Sequence, residues 1–208
     1  ADTIFYVYDK LDRLRFEQDG NMRKYRFWKT TKYDALNRPV IEGSYNPSTN
    51  LKRAALQQAL DQSQLAMAEE KNNSTFGYTL DLSFPFDRLS VTTSYYYDDY
   101  DFARDGNSTF AQYFLPNFSD DAMPTAKGQL TAMRTISDLK HHQLFEVYFY
   151  DKKYRMVQTT LVNNNERTKW HSGNFYNFGG VLLKTNKNLS DLQANTIIRY
   201  TFEYDYDD

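Results

Sequence analysis

YDKLDRL, at Tyr8–Leu14, returns as YDALNRPV at Tyr33–Val40 and as YDKKYRMV at Tyr150–Val157. Weaker copies stand at Tyr97–Phe102 (YDDYDF) and Tyr176–Leu182 (YNFGGVL), and YDYDD at Tyr204–Asp208 opens a sixth. Self-similarity of this kind describes an array of small units rather than an enzyme built round one cleft. Each copy reads as a β-hairpin. The strand ends at Tyr8, and Asp9 opens a turn that its carboxylate can cap. Asp12 then falls where a type I turn needs a residue in the left-handed region, before the return strand begins at Arg13. Asn37 and Gly180 hold the same slot, and both accept positive φ cheaply. Tyr154 does not suit that slot, which predicts a different turn in the copy at Tyr150.

The tyrosines stand at 8, 33, 97, 150, 176 and 204 or 206, so neighbouring copies are 25, 64, 53, 26 and about 28 to 30 residues apart. The two long gaps are near twice the short ones, as if a unit has decayed there or carries an insertion. The flanking residues alternate as strands do: Ile198, Tyr200, Phe202, Tyr204 and Tyr206 against Ile197, Arg199, Thr201, Glu203 and Asp205. Leu14 and Phe16 likewise alternate with Arg13, Arg15 and Glu17, which assigns Arg15 to a polar face. An antiparallel sheet with hairpins paired side by side is expected.

One stretch departs from this pattern. Leu51–Lys71, rich in Ala, Leu, Gln and Glu and free of Gly and Pro, predicts a helix of about five turns. Pro47 and Ser48 suit its start, and Ala54, Leu56, Leu60 and Met67 give it an apolar side to lay on the sheet. Asn72–Ser74, Ser119–Thr125 and Asn163–Asn165 read as polar loops. None resembles an interdomain linker, so residues 1–208 are expected to form one continuous β-array with a helical insertion at about 47–72.

Composition narrows the function classes. A net charge of −2 provides no basic field for nucleic acid or an anionic membrane surface. Eighteen Tyr and 15 Phe in a chain of mean hydropathy −0.77 describe a wet, aromatic β protein, because a tyrosine ring packs while its hydroxyl stays hydrated. The absence of cysteine excludes disulfides and thiolate zinc sites. No apolar run approaches the roughly 20 residues that a membrane-spanning helix needs. The sequence shows no signal peptide at Ala1 and stops inside a repeat, so a piece of a longer parent chain is expected.

The Tyr-Asp phrase, followed after two residues by Asp, Asn or Gly and then by Arg, resembles the YD repeats of RHS-family proteins. YVYDKLDRLRFEQDG (Tyr6–Gly20), KYDALNRPVIEG (Lys32–Gly43), KGQLTAMR (Lys127–Arg134) and VYFYDKKYRMVQT (Val147–Thr159) are similar to RHS segments of Bacteroidetes surface proteins. The resemblance implies a β-strip of hairpins that spirals, in long family members, into a hollow shell enclosing a C-terminal toxin or effector. It also implies a bacterial cell-surface or extracellular location. The repeat-motif residues would be Tyr8, Asp9, Arg13, Tyr33, Asp34, Arg38, Tyr150, Asp151 and Arg155. Phe102 and Val181 replace the motif arginine in the weaker copies, and the family's self-cleaving C-terminal segment is missing. Five or six repeats make an open piece of such a shell, with exposed edges.

Candidate chemistry is sparse. The three histidines, His141, His142 and His171, come without cysteine or any nucleophile or zinc motif, so histidine catalysis is not expected. Asp98, Asp99, Asp101 and Asp105 form the densest carboxylate cluster. The repeat accounts for Asp98 as a turn residue, and the spacing does not fit a calcium loop or point to a glycosidase pair. Trp28 and Trp170 are the best candidates for stacking on a sugar face. The expectation is a non-enzymatic scaffold segment without cofactor or metal, whose partners are the rest of its parent chain or an enclosed effector domain. The alternative is a carbohydrate-binding or adhesion module recognising surface glycans.

Overall fold

The computed structural model describes residues 3–102, 110–137, 142–163, 168–191 and 196–206. Among them, eleven strands follow one another in sequence order, each hydrogen-bonded to the next. They are β1 (Phe5–Tyr8), β2 (Leu14–Gln18), β3 (Trp28–Tyr33), β4 (Pro39–Tyr45), β5 (Leu89–Asp98), β6 (Ala126–Ser137), β7 (His142–Tyr150), β8 (Met156–Asn163), β9 (Thr168–Tyr176), β10 (Leu182–Asp191) and β11 (Thr196–Glu203). Three short helices accompany them: α1 (Gly20–Lys24), α2 (Arg53–Gln62) and α3 (Phe110–Tyr113). The fold is an open, antiparallel all-β sheet with a helical insertion, as the hairpin repeats predict. No helix among the described residues is long and apolar enough to cross a membrane.

The chain divides into two compact units, Ala1–Ser94 and Tyr95–Asp208, and β5 contributes its first half to one and its second half to the other. In the first unit, Val7, Phe16, Trp28 and Tyr45 from the sheet pack against Leu56 and Leu60 of α2. Gly43 is required on β4 because a Cβ there would run into the Ser90 carbonyl of β5. In the second unit the corresponding core is aromatic. Tyr100 stacks on Phe149 with ring centres 5.1 Å apart, and Phe102, Phe110, Phe114 and Phe145 close round them mostly edge to face.

A recurring bulge breaks the simple alternation of the strands. Val7 pairs with Phe16 while Tyr8 pairs with Leu14, which leaves Arg15 as a one-residue bulge. The same bulge recurs at Val40, Val157 and Leu183, each time two residues after the motif arginine position. A bulge turns two consecutive side chains to one side. Arg15 and Phe16 are therefore both buried, as are Val40 with Ile41 and Val157 with Gln158. This overturns the expectation that Arg15 lies on a polar face.

The helix expected over Leu51–Lys71 is also shorter, only the ten residues of α2. Ser63 leaves helical geometry at φ −60 and ψ 131, and the chain beyond it runs back so that Glu69 N donates to the Tyr33 carbonyl at 2.8 Å. Burial of Glu69 against the sheet outweighs the helix propensity of its segment. The N-cap position falls on Lys52 and makes no side-chain capping bond, so Ser48 does not cap the helix.

Candidate functional site

The repeated turn is a carboxylate clamp. Asp9 Oδ1 accepts from Leu11 N at 2.9 Å and Arg13 N at 3.1 Å, and Oδ2 accepts from Arg13 Nε at 2.9 Å. Asp34 does the same with Leu36 N (2.9 Å), Arg38 N (2.9 Å) and Arg38 Nε (2.7 Å). Asp151 repeats it with Lys153 N (2.8 Å), Arg155 N (2.9 Å) and Arg155 Nε (2.7 Å). Although burial alone would raise the carboxyls of Asp9 and Asp151, these donors and the arginine charge hold both below the ordinary aspartate value. The fifth copy keeps the backbone turn with Asn177 in place of Asp, its Oδ1 accepting from Val181 N at 2.9 Å.

The left-handed slot is filled in all four, by Asp12 (φ 56), Asn37 (φ 61), Tyr154 (φ 59) and Gly180 (φ 92). Tyr154 thus adopts the common turn rather than a different one. The clamp forces the conformation on a residue type that resists it.

The copy at Tyr97–Phe102 is a split turn. Asp98 Oδ1 accepts from Gly128 N at 2.8 Å, and Gly128 (φ 81) takes the left-handed slot, so residues 99–127 are inserted within the turn itself. Gln129, not Phe102, then follows the left-handed residue where the motif has arginine. Phe102 is a buried member of the aromatic core. The two long gaps between copies are accordingly insertions, one between β4 and β5 and one between β5 and β6, not decayed units.

Successive hairpins are joined through the motif tyrosine. Its hydroxyl donates to a main-chain carbonyl of the strand that returns from the preceding turn: Tyr33 to Leu14 (2.8 Å), Tyr150 to Leu130 (2.9 Å), Tyr176 to Met156 (3.1 Å) and Tyr206 to Leu182 (2.9 Å). Each acceptor lies two residues beyond a left-handed slot. The motif arginine of one hairpin also lies over the tyrosine ring of the next, with Arg13 Cζ 4.7 Å from the Tyr33 ring centre and Arg155 Cζ 4.6 Å from that of Tyr176.

Beneath the first two turns lies a buried charged group that sequence reading missed. Lys32 Nζ donates to Glu69 Oε1, the Leu80 carbonyl and the Ser83 carbonyl, each at 2.7 Å. Glu69 also accepts from Thr79 Oγ1 (2.7 Å), Ser83 Oγ (2.6 Å) and Ser83 N (3.0 Å). Burial pulls the Lys32 ammonium down to about 8, against the opposing pull of Glu69, while Lys32 and its hydrogen-bond donors hold the Glu69 carboxyl low against its own burial. Arg15 adjoins them, donating from Nη2 to Ser83 Oγ at 3.2 Å and to the Phe84 carbonyl. Lys32 carries no sequence signal, because its strand alternates as any half-buried strand would. Arg15 does carry one, since the aligned copies place Val40, Val157 and Leu183 in its position.

The remaining candidates separate. Trp28 is 1% exposed and donates from Nε1 to the Leu51 carbonyl, so it is a core residue and not a sugar platform. Trp170 is 53% exposed, on the same face of the sheet as Leu189, Ile198, Tyr200 and Phe202. His171 is buried against Thr160 Oγ1 at 2.9 Å, and burial with the nearby Lys169 charge lowers it to about 4. His141 and Asp105 lie outside the described residues, and His142 falls on β7. Asp101 N donates to Asp99 Oδ1 at 3.1 Å, and among the described residues no three His, Asp or Glu side chains are grouped to hold a metal.

No family model matches the chain, and neither a curated protein nor a solved structure matches it significantly.

Proposed function

We propose that this chain is a non-enzymatic structural segment of an RHS-like bacterial cell-surface or secreted protein, where it helps build a β-sheet scaffold or shell round a C-terminal effector. The observation that supports the reading is the ladder. Asp–Arg clamps shape three of the turns, and the hydroxyls of Tyr33, Tyr150, Tyr176 and Tyr206 bond the main chain of the strand returning from the preceding turn. Residues recurring in this way serve architecture, since each copy does the same local work and no single cleft collects them. The rest of the parent chain is the natural partner of such a segment.

A second reading rests on one exposed face. Trp170, Tyr200 and Phe202 present rings on one side of β9–β11 with Lys187 among them, which suits stacking against a sugar. Thermal melting of the whole chain against a broad glycan panel separates the two, because a ligand that binds only the folded state raises Tm. The scaffold reading expects no shift across the panel. A shift with one sugar class that disappears in Trp170→Ala would replace it with the adhesion reading.

A further inference from the structure

The first and last strands of the sheet are finished differently. On β1, side chains of α2 occupy the outer main chain: Gln57 Nε2 donates to the Tyr8 carbonyl at 2.8 Å, Tyr8 N donates to Gln57 Oε1 at 3.4 Å, and Arg53 Nε donates to the Tyr6 carbonyl at 2.9 Å. The Gln57 amide stands where the peptide of a neighbouring strand would, so that edge is closed to strand addition. β11 has no such cover among the described residues. It is hydrogen-bonded to β10 alone, and all eight of its residues are exposed. Its sequence, TIIRYTFE, holds no Pro, Gly or Lys to discourage pairing.

Register fixes which groups of β11 face outward. Tyr204 N donates inward, to the Leu183 carbonyl at 3.0 Å, so Phe202, Tyr200 and Ile198 also turn their main chain towards β10. The N–H and C=O groups of Ile197, Arg199, Thr201 and Glu203 therefore point away from the sheet. A second copy related by a two-fold axis normal to the sheet would meet this edge antiparallel, with those residues opposite one another. An axis at Arg199 sets two guanidinium groups together, and one at Tyr200 leaves Arg199 opposite Thr201. An axis at Thr201 sets Arg199 opposite Glu203 twice, and on the other face Tyr200 opposite Phe202 and Ile198 opposite Tyr204. Only this last register joins opposite charges and apolar side chains together.

We propose that β11 is a dimerisation edge, at which two copies of this chain join their sheets by antiparallel β11–β11 pairing centred on Thr201, with Arg199 of each copy against the partner's Glu203. Because α2 closes β1, assembly stops at two. The inference goes beyond the scaffold reading and does not rest on it.

Sedimentation equilibrium of the whole chain tests this. At about 100 μM the mass is expected to be twice the 24.6 kDa of one chain. Arg199→Glu sets carboxylate against carboxylate and is expected to weaken the dimer about tenfold, and adding Glu203→Arg is expected to restore it. The chain has no cysteine, so Thr201→Cys probes the axis directly. Hydrogen-bonded antiparallel partners lie about 5.5 Å apart at Cα, within reach of a disulfide. Thr201→Cys is expected to give a disulfide-linked dimer on mild oxidation. Ile197→Cys, which would lie opposite Asp205 and far from its own copy, is expected not to. A monomer at that concentration, a mass series beyond two, a charge swap that does not restore the dimer, or equal cross-linking at 197 and 201 would each overturn the pairing. If the charge variants do not fold, the two cysteine variants decide.

Discussion

The hairpins at Tyr8 and at Tyr150 turn through the same clamp, with aspartate-to-arginine Nε distances of 2.9 and 2.7 Å, yet opposite chemistry covers them. Below the first, the segment after α2 brings Glu69 and Ser83 onto Lys32 and Arg15 in a buried ionic network. In the second unit, the segment round α3 brings Phe110 and Phe114 onto Phe149 and Tyr100. The turn is thus a local device, specified within five residues and indifferent to what lies beneath it. The core is specified by whichever insertion lies on the sheet.

The largest test of that contrast is Glu69→Gln, which leaves Lys32 buried without its carboxylate and is expected to cost about 3–5 kcal/mol in denaturant unfolding. Replacing both members by apolar residues, Lys32→Met with Glu69→Leu, should recover most of the loss, making the first core resemble the second. A double variant as unstable as the single one would show that the network has a role an apolar core cannot fill.

Acid should separate the units as well, because all the histidines lie in the second. His171 is lowered from 6.5 to about 4 in the folded state, so the unfolded chain binds the proton first. Its contribution is therefore intact above pH 6.5 and is lost as pH falls towards 4, by about 3 kcal/mol over the window. His171→Gln should flatten the pH dependence of unfolding there; an unchanged slope would assign the loss to another group.

Smaller effects probe what the hairpins share. Asp34→Ala removes three hydrogen bonds to a charged acceptor and is expected to cost about 2 kcal/mol, while Asp34→Asn should cost about half, since Asn177 already serves in the fifth turn. Tyr154→Gly relieves a left-handed tyrosine and should raise stability by about 1 kcal/mol despite the flexibility of glycine. A loss on that substitution would mean that Tyr154 contributes packing that outweighs its strain.

The hairpins were readable because a turn of this kind needs particular residue types at fixed offsets, and Asp9, Asp34 and Asp151 supply them. The split turn at Asp98 was only half readable, since Gly128 closes it thirty residues later and no local rule links the two. Arg15 and Phe16 defeated strand alternation because a bulge adds one residue to the return strand. Glu69 was hidden in a run with good helix propensity, and its buried contact with Lys32 is a tertiary one that no local pattern shows. Trp28 shows the limit of choosing sites by residue type, because the largest indole platform was needed for the core.

A double-mutant cycle on Arg155 and Tyr176 measures whether the motif side chains couple consecutive hairpins. With Arg155→Met and Tyr176→Leu, singly and together, the ring–guanidinium contact at 4.6 Å predicts a coupling of about 0.5–1 kcal/mol between the two turns. Strictly additive losses would show that the two motif side chains do not couple and leave the hairpins joined only by hydrogen bonds to main-chain carbonyls.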